Sequence, residues 1–165
     1  MDLRADLSFP APPDAVVAML RDPDYVRLRS ERTGGSNVTV DVRDEGDAVV
    51  ITSERTLPTD RFPSIARKFV GDGLRIRQVD RWRPAGDGNW VGDSDVKAVA
   101  APAEVNGRTT LSPSGAGSRQ TIEGTVTASV PFVGGKLEQL MRDQVLKALQ
   151  IEERVAAQWL ATRSG

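Results

Sequence analysis

The C-terminal stretch constrains this chain more than any other part of it. Leu137, Leu140, Met141, Val145, Ala148, Ile151, Val155 and Trp159 fall within one broad stripe at about 100° per residue, while Gln139, Asp143, Lys147, Gln150 and Arg154 lie away from it. The spacing predicts a helix over about 135–161, on the order of 40 Å long. A stripe of that length must be covered, and the sequence upstream supplies strands. Val38, Val40 and Val42 alternate with Thr39, Asp41 and Arg43, and Glu45-Gly46-Asp47 turns into Val49-Val50-Ile51. Further strands are predicted over 74–83, 90–99, 103–111 and 119–130, with turns rich in Gly, Pro and Ser between them. Each is shorter than the helix, so the helix must lie diagonally across a sheet.

Leu3, Ala5, Leu7 and Phe9 alternate as a first strand, which Pro10-Ala11-Pro12-Pro13 must end because proline cannot donate to a ladder. A short helix through Val16, Val17, Met19 and Leu20 stops before Asp22-Pro23, and Tyr25, Val26 and Leu28 suggest one more turn. Between Leu57-Pro58 and Gly71-Asp72-Gly73, the residues Phe62, Ile65, Ala66 and Phe69 sit at i, i+3, i+4 and i+7, the signature of an inserted amphipathic helix. The order of elements, with short helices after the first strand and a long helix at the C-terminus, predicts an α+β chain in which helices cover one face of an antiparallel sheet. With no repeat, low-complexity tract or linker, one domain over residues 1–165 is expected.

Composition narrows the chemistry. The chain has Cys 0 and His 0, which excludes disulfides, thiolate nucleophiles, Cys/His zinc sites and hydrolytic triads with a histidine base. A formal net charge of -1 leaves no global field for nucleic acid or an anionic membrane. Met1-Asp2-Leu3-Arg4-Ala5-Asp6 lacks a basic, apolar leader, so a cytoplasmic location is expected. No cofactor or metal is expected, since Gly134-Gly135-Lys136 lacks the spacing of a P-loop and no G-x-G-x-x-G opens a helix.

The segment from Phe9-Pro10-Ala11-Pro12-Pro13-Asp14 to Met19-Leu20-Arg21-Asp22-Pro23 resembles the opening of START-like domains, the helix-grip or birch-pollen-allergen-like superfamily also called SRPBCC. Gly124-Thr125-Val126 and Val130-Pro131-Phe132-Val133-Gly134-Gly135-Lys136-Leu137-Glu138 resemble the last strand and grip helix of uncharacterised bacterial members. The resemblance implies a curved antiparallel β-sheet gripping the long C-terminal helix (the helix-grip fold), with an apolar cavity between them that holds a hydrophobic small molecule. Members carry lipids and sterols, sense hormones, bind quinones or cyclise polyketides, so the fold does not settle function. Arg29-Ser30 departs from those members that place an aromatic residue after the Asp-Pro turn.

On the strand over 74–83, Arg75, Arg77, Arg81 and Arg83 share one parity. They invite a phosphate-binding reading, but Asp93 and Asp95 on the next strand favour a self-neutralised solvent face. The other parity carries Leu74, Ile76, Gln78, Asp80 and Trp82 toward the helix. A carboxylate there must find a partner, keep a proton or meet cavity water, unless Asp80 lies near the strand end and is simply wet. Gly92, Ser94, Gly124 and Ala128 leave room on the inner face, for curvature or for a ligand.

The expected function is binding or carriage of a lipid-like or polycyclic molecule, a hydrophobic small-molecule partner rather than nucleic acid or a membrane-spanning assembly. The candidate lining is Leu74, Ile76, Gln78, Asp80, Trp82, Ser94, Gly124, Val126, Leu137, Met141 and Val145, with Phe62, Ile65 and Phe69 as a lid or a fixed plug. The alternatives are a cyclase, dehydratase or hydrolase using Asp80 as acid or base, and a protein-interaction module without a ligand.

Overall fold

Prolines and a capping aspartate punctuate the start of the chain in the computed structural model, which describes residues 1–60 and 62–163, the side chains of Ile65 and Phe69 excepted. Strand β1 (Asp2–Phe9) ends at the proline cluster, and helix α1 (Pro13–Leu20) begins with Pro13 in its first turn. Helix α2 (Pro23–Arg32) starts where Asp22 accepts a 2.9 Å hydrogen bond from the Asp24 amide. It runs well beyond the single turn expected. Tyr25, Val26, Arg29 and Ser30 all bury, so the helix face continues through two polar residues that sequence periodicity excludes from a core.

Strands β2 (Ser36–Glu45) and β3 (Ala48–Pro58) form the expected hairpin, and α3 (Ser64–Val70) lies between β3 and β4 (Gly73–Gly86). Then follow β5 (Asn89–Ala98), β6 (Ala103–Ser114), β7 (Gly117–Ala128) and α4 (Gly134–Arg163). The seven strands of the described residues form one antiparallel sheet in the order β1-β7-β6-β5-β4-β3-β2, so the first and last strands are neighbours. Asp2 to Phe9 pairs with Thr125 to Ser118, and the free α-amino group of Met1 donates to the carbonyl of Val126 at 2.9 Å.

Where strands approach closely, glycine is required. A Cβ on Gly92 would lie 2.6 Å from the Arg81 carbonyl oxygen, and one on Gly124 would lie 2.6 Å from that of Asn106. Both glycines therefore serve the bend of the sheet.

The two halves of α4 meet different surroundings. Toward its C-terminus, Val155, Ala156, Trp159 and Leu160 are buried in a core with Leu7, Phe9, Val16, Tyr25 and Val26. Trp159 packs edge-on against Tyr25 at 5.4 Å between ring centroids. Toward its N-terminus, Leu137, Leu140, Met141, Val145 and Ala148 stay only partly buried, because the helix there faces open space under the sheet.

On the outer face the arginine stripe is exposed and paired with acids. Arg75 meets Glu54 at 3.4 Å, Arg81 meets Glu45 at 3.1 Å and Arg83 meets Asp93 at 3.9 Å. Two of these three partners come from the β2–β3 hairpin rather than from β5, since β3 flanks β4 on its other side. Among the described residues, no helix is long and apolar enough to cross a membrane.

Candidate ligand cavity

Four connections gather at one end of the sheet: the α2–β2 link, the insertion carrying α3, the β5–β6 loop and the β7–α4 loop. Beneath them lies an outer chamber of about 230 Å³. Its walls are almost wholly apolar: Leu74 and Ile76 from β4, Phe62 and Ala66 from the insertion, and Leu137 and Met141 from α4. These positions follow from local sequence, since even residues of β4 point inward and the helix stripe faces them.

Deeper in, a second chamber of about 160 Å³ shares Arg55, Val96, Val105, Val145 and Ala148 with the first. The two are contiguous, and the second adds a cluster of polar groups to a lining that is otherwise apolar. Asp80 is buried in its wall and accepts four hydrogen bonds: two from the Gln78 amide at 2.9 and 3.2 Å, one from Ser94 Oγ at 2.5 Å and one from Arg29 Nη2 at 3.3 Å. With its amide nitrogen committed to Asp80, Gln78 turns Oε1 outward and accepts from Arg55 Nη1 at 3.1 Å. Arg55, Gln78, Asp80 and Arg29 thus form one continuous hydrogen-bonded chain from β3 through β4 to α2.

Glu152 enters from the opposite wall, on α4. Among the described residues no hydrogen bond or ion pair ends on its carboxyl group. Burial pushes its pKa above the ordinary 4.5, and the positive charges of Arg29 and Arg55 offset part of that rise. For Arg29, burial alone acts downward, but Glu152 and Asp80 outweigh it and the guanidinium is held charged. Burial and repulsion from Arg29 pull Arg55 downward. Tyr25, at the same base, has its phenol pKa raised by burial.

Residues 4–160 match the family described as "Protein of unknown function (DUF2505)". The chain belongs to the DUF2505 family. An uncharacterised protein of Mycobacterium tuberculosis is 30% identical over 139 residues, which are 83% of this chain and 76% of that one. The fold is the START-like helix-grip fold. A STAR-related lipid transfer protein from Xanthomonas axonopodis superposes with a TM-score of 0.54 at 18% identity, covering 92% of this chain and 84% of its own. StfQ, a di-domain ARO/CYC of the steffimycin biosynthetic pathway, gives a TM-score of 0.63 at 14% identity, with 99% of this chain matched to 52% of that one.

In this DUF2505 chain the residues singled out from sequence divide between the two chambers. Leu74, Ile76, Phe62, Leu137 and Met141 line the outer one; Gln78, Asp80, Trp82, Ser94 and Gly124 line the inner one, and Val145 lines both. Val126 lines neither, being fully buried in the packing of β7. Ile65 and Phe69, proposed with Phe62 as a lid, have side chains outside the described residues. Asp80 is not a wet strand-end residue: its partners lie on three elements, and β4 continues beyond it through a register shift between Pro84 and Gly86.

Sequence reasoning missed Arg29, Arg55 and Glu152. Arg29 follows Tyr25 by four residues and so shares its buried helix face. Arg55 has the inward parity of Ile51 and Leu57, and Glu152 sits amid the apolar stripe between Ala148 and Ala156. All three signals are present in the sequence; a charged side chain at an inward position is the common sign.

Proposed function

We propose that this protein binds and carries a hydrophobic or amphipathic small molecule, lodged between its sheet and α4, with the whole chain acting as one START-like unit. The observation that carries this reading is the pair of contiguous chambers, apolar near the loops and with a few polar groups gathered at the base. This is the layout of a site that buries a ligand's body and orients it by a few polar groups. The name of the lipid transfer protein that shares the fold agrees with it. Native mass spectrometry of gently purified protein, before and after exposure to a lipid extract, tests it: a retained or exchangeable ligand of a few hundred daltons is expected, and a protein that stays at its bare mass throughout overturns it.

The ARO/CYC likeness raises a catalytic reading with Asp80 as acid or base. Asp80 accepts four hydrogen bonds from three side chains, an arrangement that suits holding a framework more than exchanging protons with a substrate. If turnover of a cyclisable substrate is found and Asp80→Asn abolishes it with the fold intact, the catalytic reading replaces simple carriage.

A further inference from the structure

The inner chamber carries hydrogen-bonding capacity that the protein does not use. Asp80 is saturated and Gln78 is turned by it, so neither is free to receive a ligand. Arg55 is different. One of its five N–H donors is spent on Gln78, and no other acceptor among the described residues takes the rest. It stands where the two chambers join, with its orientation set by that one bond. A guanidinium fork matches the two oxygens of a carboxylate.

Charge points the same way. Arg29 closes an ion pair with Asp80 at 3.3 Å and also feels the charge of Glu152; among the described residues, Arg55 and Glu152 are the cation and acid of this lining, short of its exposed rim, that close no ion pair. They line the same chamber from opposite walls without closing an ion pair on each other. Once Glu152 holds a proton, the base of the cavity carries one net positive charge and an additional O–H donor, the complement of a monoanion with two acceptor oxygens. The ionisable groups that face Glu152 are Tyr25 and Arg29 from α2, Arg55 from β3 and Asp80 from β4; Asp93 and Arg108 border the chamber but have exposed side chains.

We propose that the ligand is a hydrophobic carboxylic acid, its carboxylate held by Arg55 on the sheet side and Glu152 on the helix side, and its apolar body lying among Leu74, Ile76, Leu137 and Met141. This rests on the carriage reading above and adds the chemical class of the ligand. Arg29, Asp80, Gln78 and Ser94 are positioning residues: they hold Arg55 at the junction and touch no ligand atom themselves.

Calorimetric titration with three probes of one chain length tests it: dodecanoate, dodecan-1-ol and dodecylammonium. Dodecanoate is expected to bind roughly tenfold or more tightly than either of the others, since a charge-assisted pair in a desolvated site is worth that much. Its binding is expected to take up protons, read as a dependence of the apparent enthalpy on buffer ionisation heat. Arg55→Gln is expected to shrink the acid-over-alcohol preference about tenfold, with circular dichroism confirming the fold; should that variant not fold, the three-probe series on the natural protein decides alone. If the alcohol or the ammonium binds as tightly as the acid, the carboxylate assignment falls and carriage stands. If none of the three binds while the protein still retains a ligand from the lipid extract, the carboxylate assignment falls and carriage stands; if the extract also leaves it at its bare mass, both fall.

Discussion

Arg29 of α2 reaches Oδ2 of Asp80, in the middle of β4, at 3.3 Å, with both side chains almost wholly removed from solvent. The pair fastens the second helix to the sheet and shapes the base of the cavity. Buried pairs of this kind gain little over apolar packing but are costly to break singly, because the survivor is an uncompensated charge. Arg29→Met is therefore expected to destabilise the fold by about 3–5 kcal/mol, and adding Asp80→Asn is expected to restore much of that loss. Urea denaturation of the two variants checks this, and equal losses in the single and double variants would show that the charge left behind is not the cause.

Glu152 sets a pH dependence. Because its folded-state pKa lies above the ordinary 4.5, the folded protein binds this proton more tightly than the unfolded chain. Its contribution is full below that value and is lost as pH rises through the folded pKa. Glu152→Gln lacks this loss, so its melting temperature relative to the natural protein is expected to climb as pH rises above about 4.5. A difference that stays flat over this window contradicts the burial of an ionisable carboxyl group.

Val145 lies where the two chambers meet. Val145→Trp is expected to block the junction and to reduce uptake of the apolar dye ANS roughly tenfold, while costing about 1–3 kcal/mol or less because the added ring enters existing space. Undiminished dye fluorescence in a folded variant would place the binding volume elsewhere.

Phe132, on the β7–α4 loop, is fully exposed and adopts a left-handed backbone with φ 70°. The side chain buries nothing, while the conformation disfavours any residue with a Cβ by about 1–2 kcal/mol. Phe132→Gly is expected to raise stability by roughly 1 kcal/mol, after the greater entropy of glycine in the unfolded chain is subtracted. Thermal denaturation reads the sign directly; a loss of stability means that the ring packs against something.

Sequence alone determined a good deal about this protein. The helical stripe over 137–159, the alternation in β2 and β4, and the proline stops at 10–13 and 23 are local patterns, set by the geometry of helix and strand, and they carry the α+β architecture and most of the apolar lining. The same parity placed Gln78 and Asp80 on the inner face of β4. Tertiary structure decided what those polar groups meet. Arg29, Arg55, Asp80 and Glu152 come from α2, β3, β4 and α4, and no spacing in the chain relates them. Whether a charged residue at an inward position points into water or into a core depends on what packs above it. That became definite only when α4 crossed the sheet, closing its C-terminal half onto Tyr25 and Val26 and leaving its N-terminal half over open space.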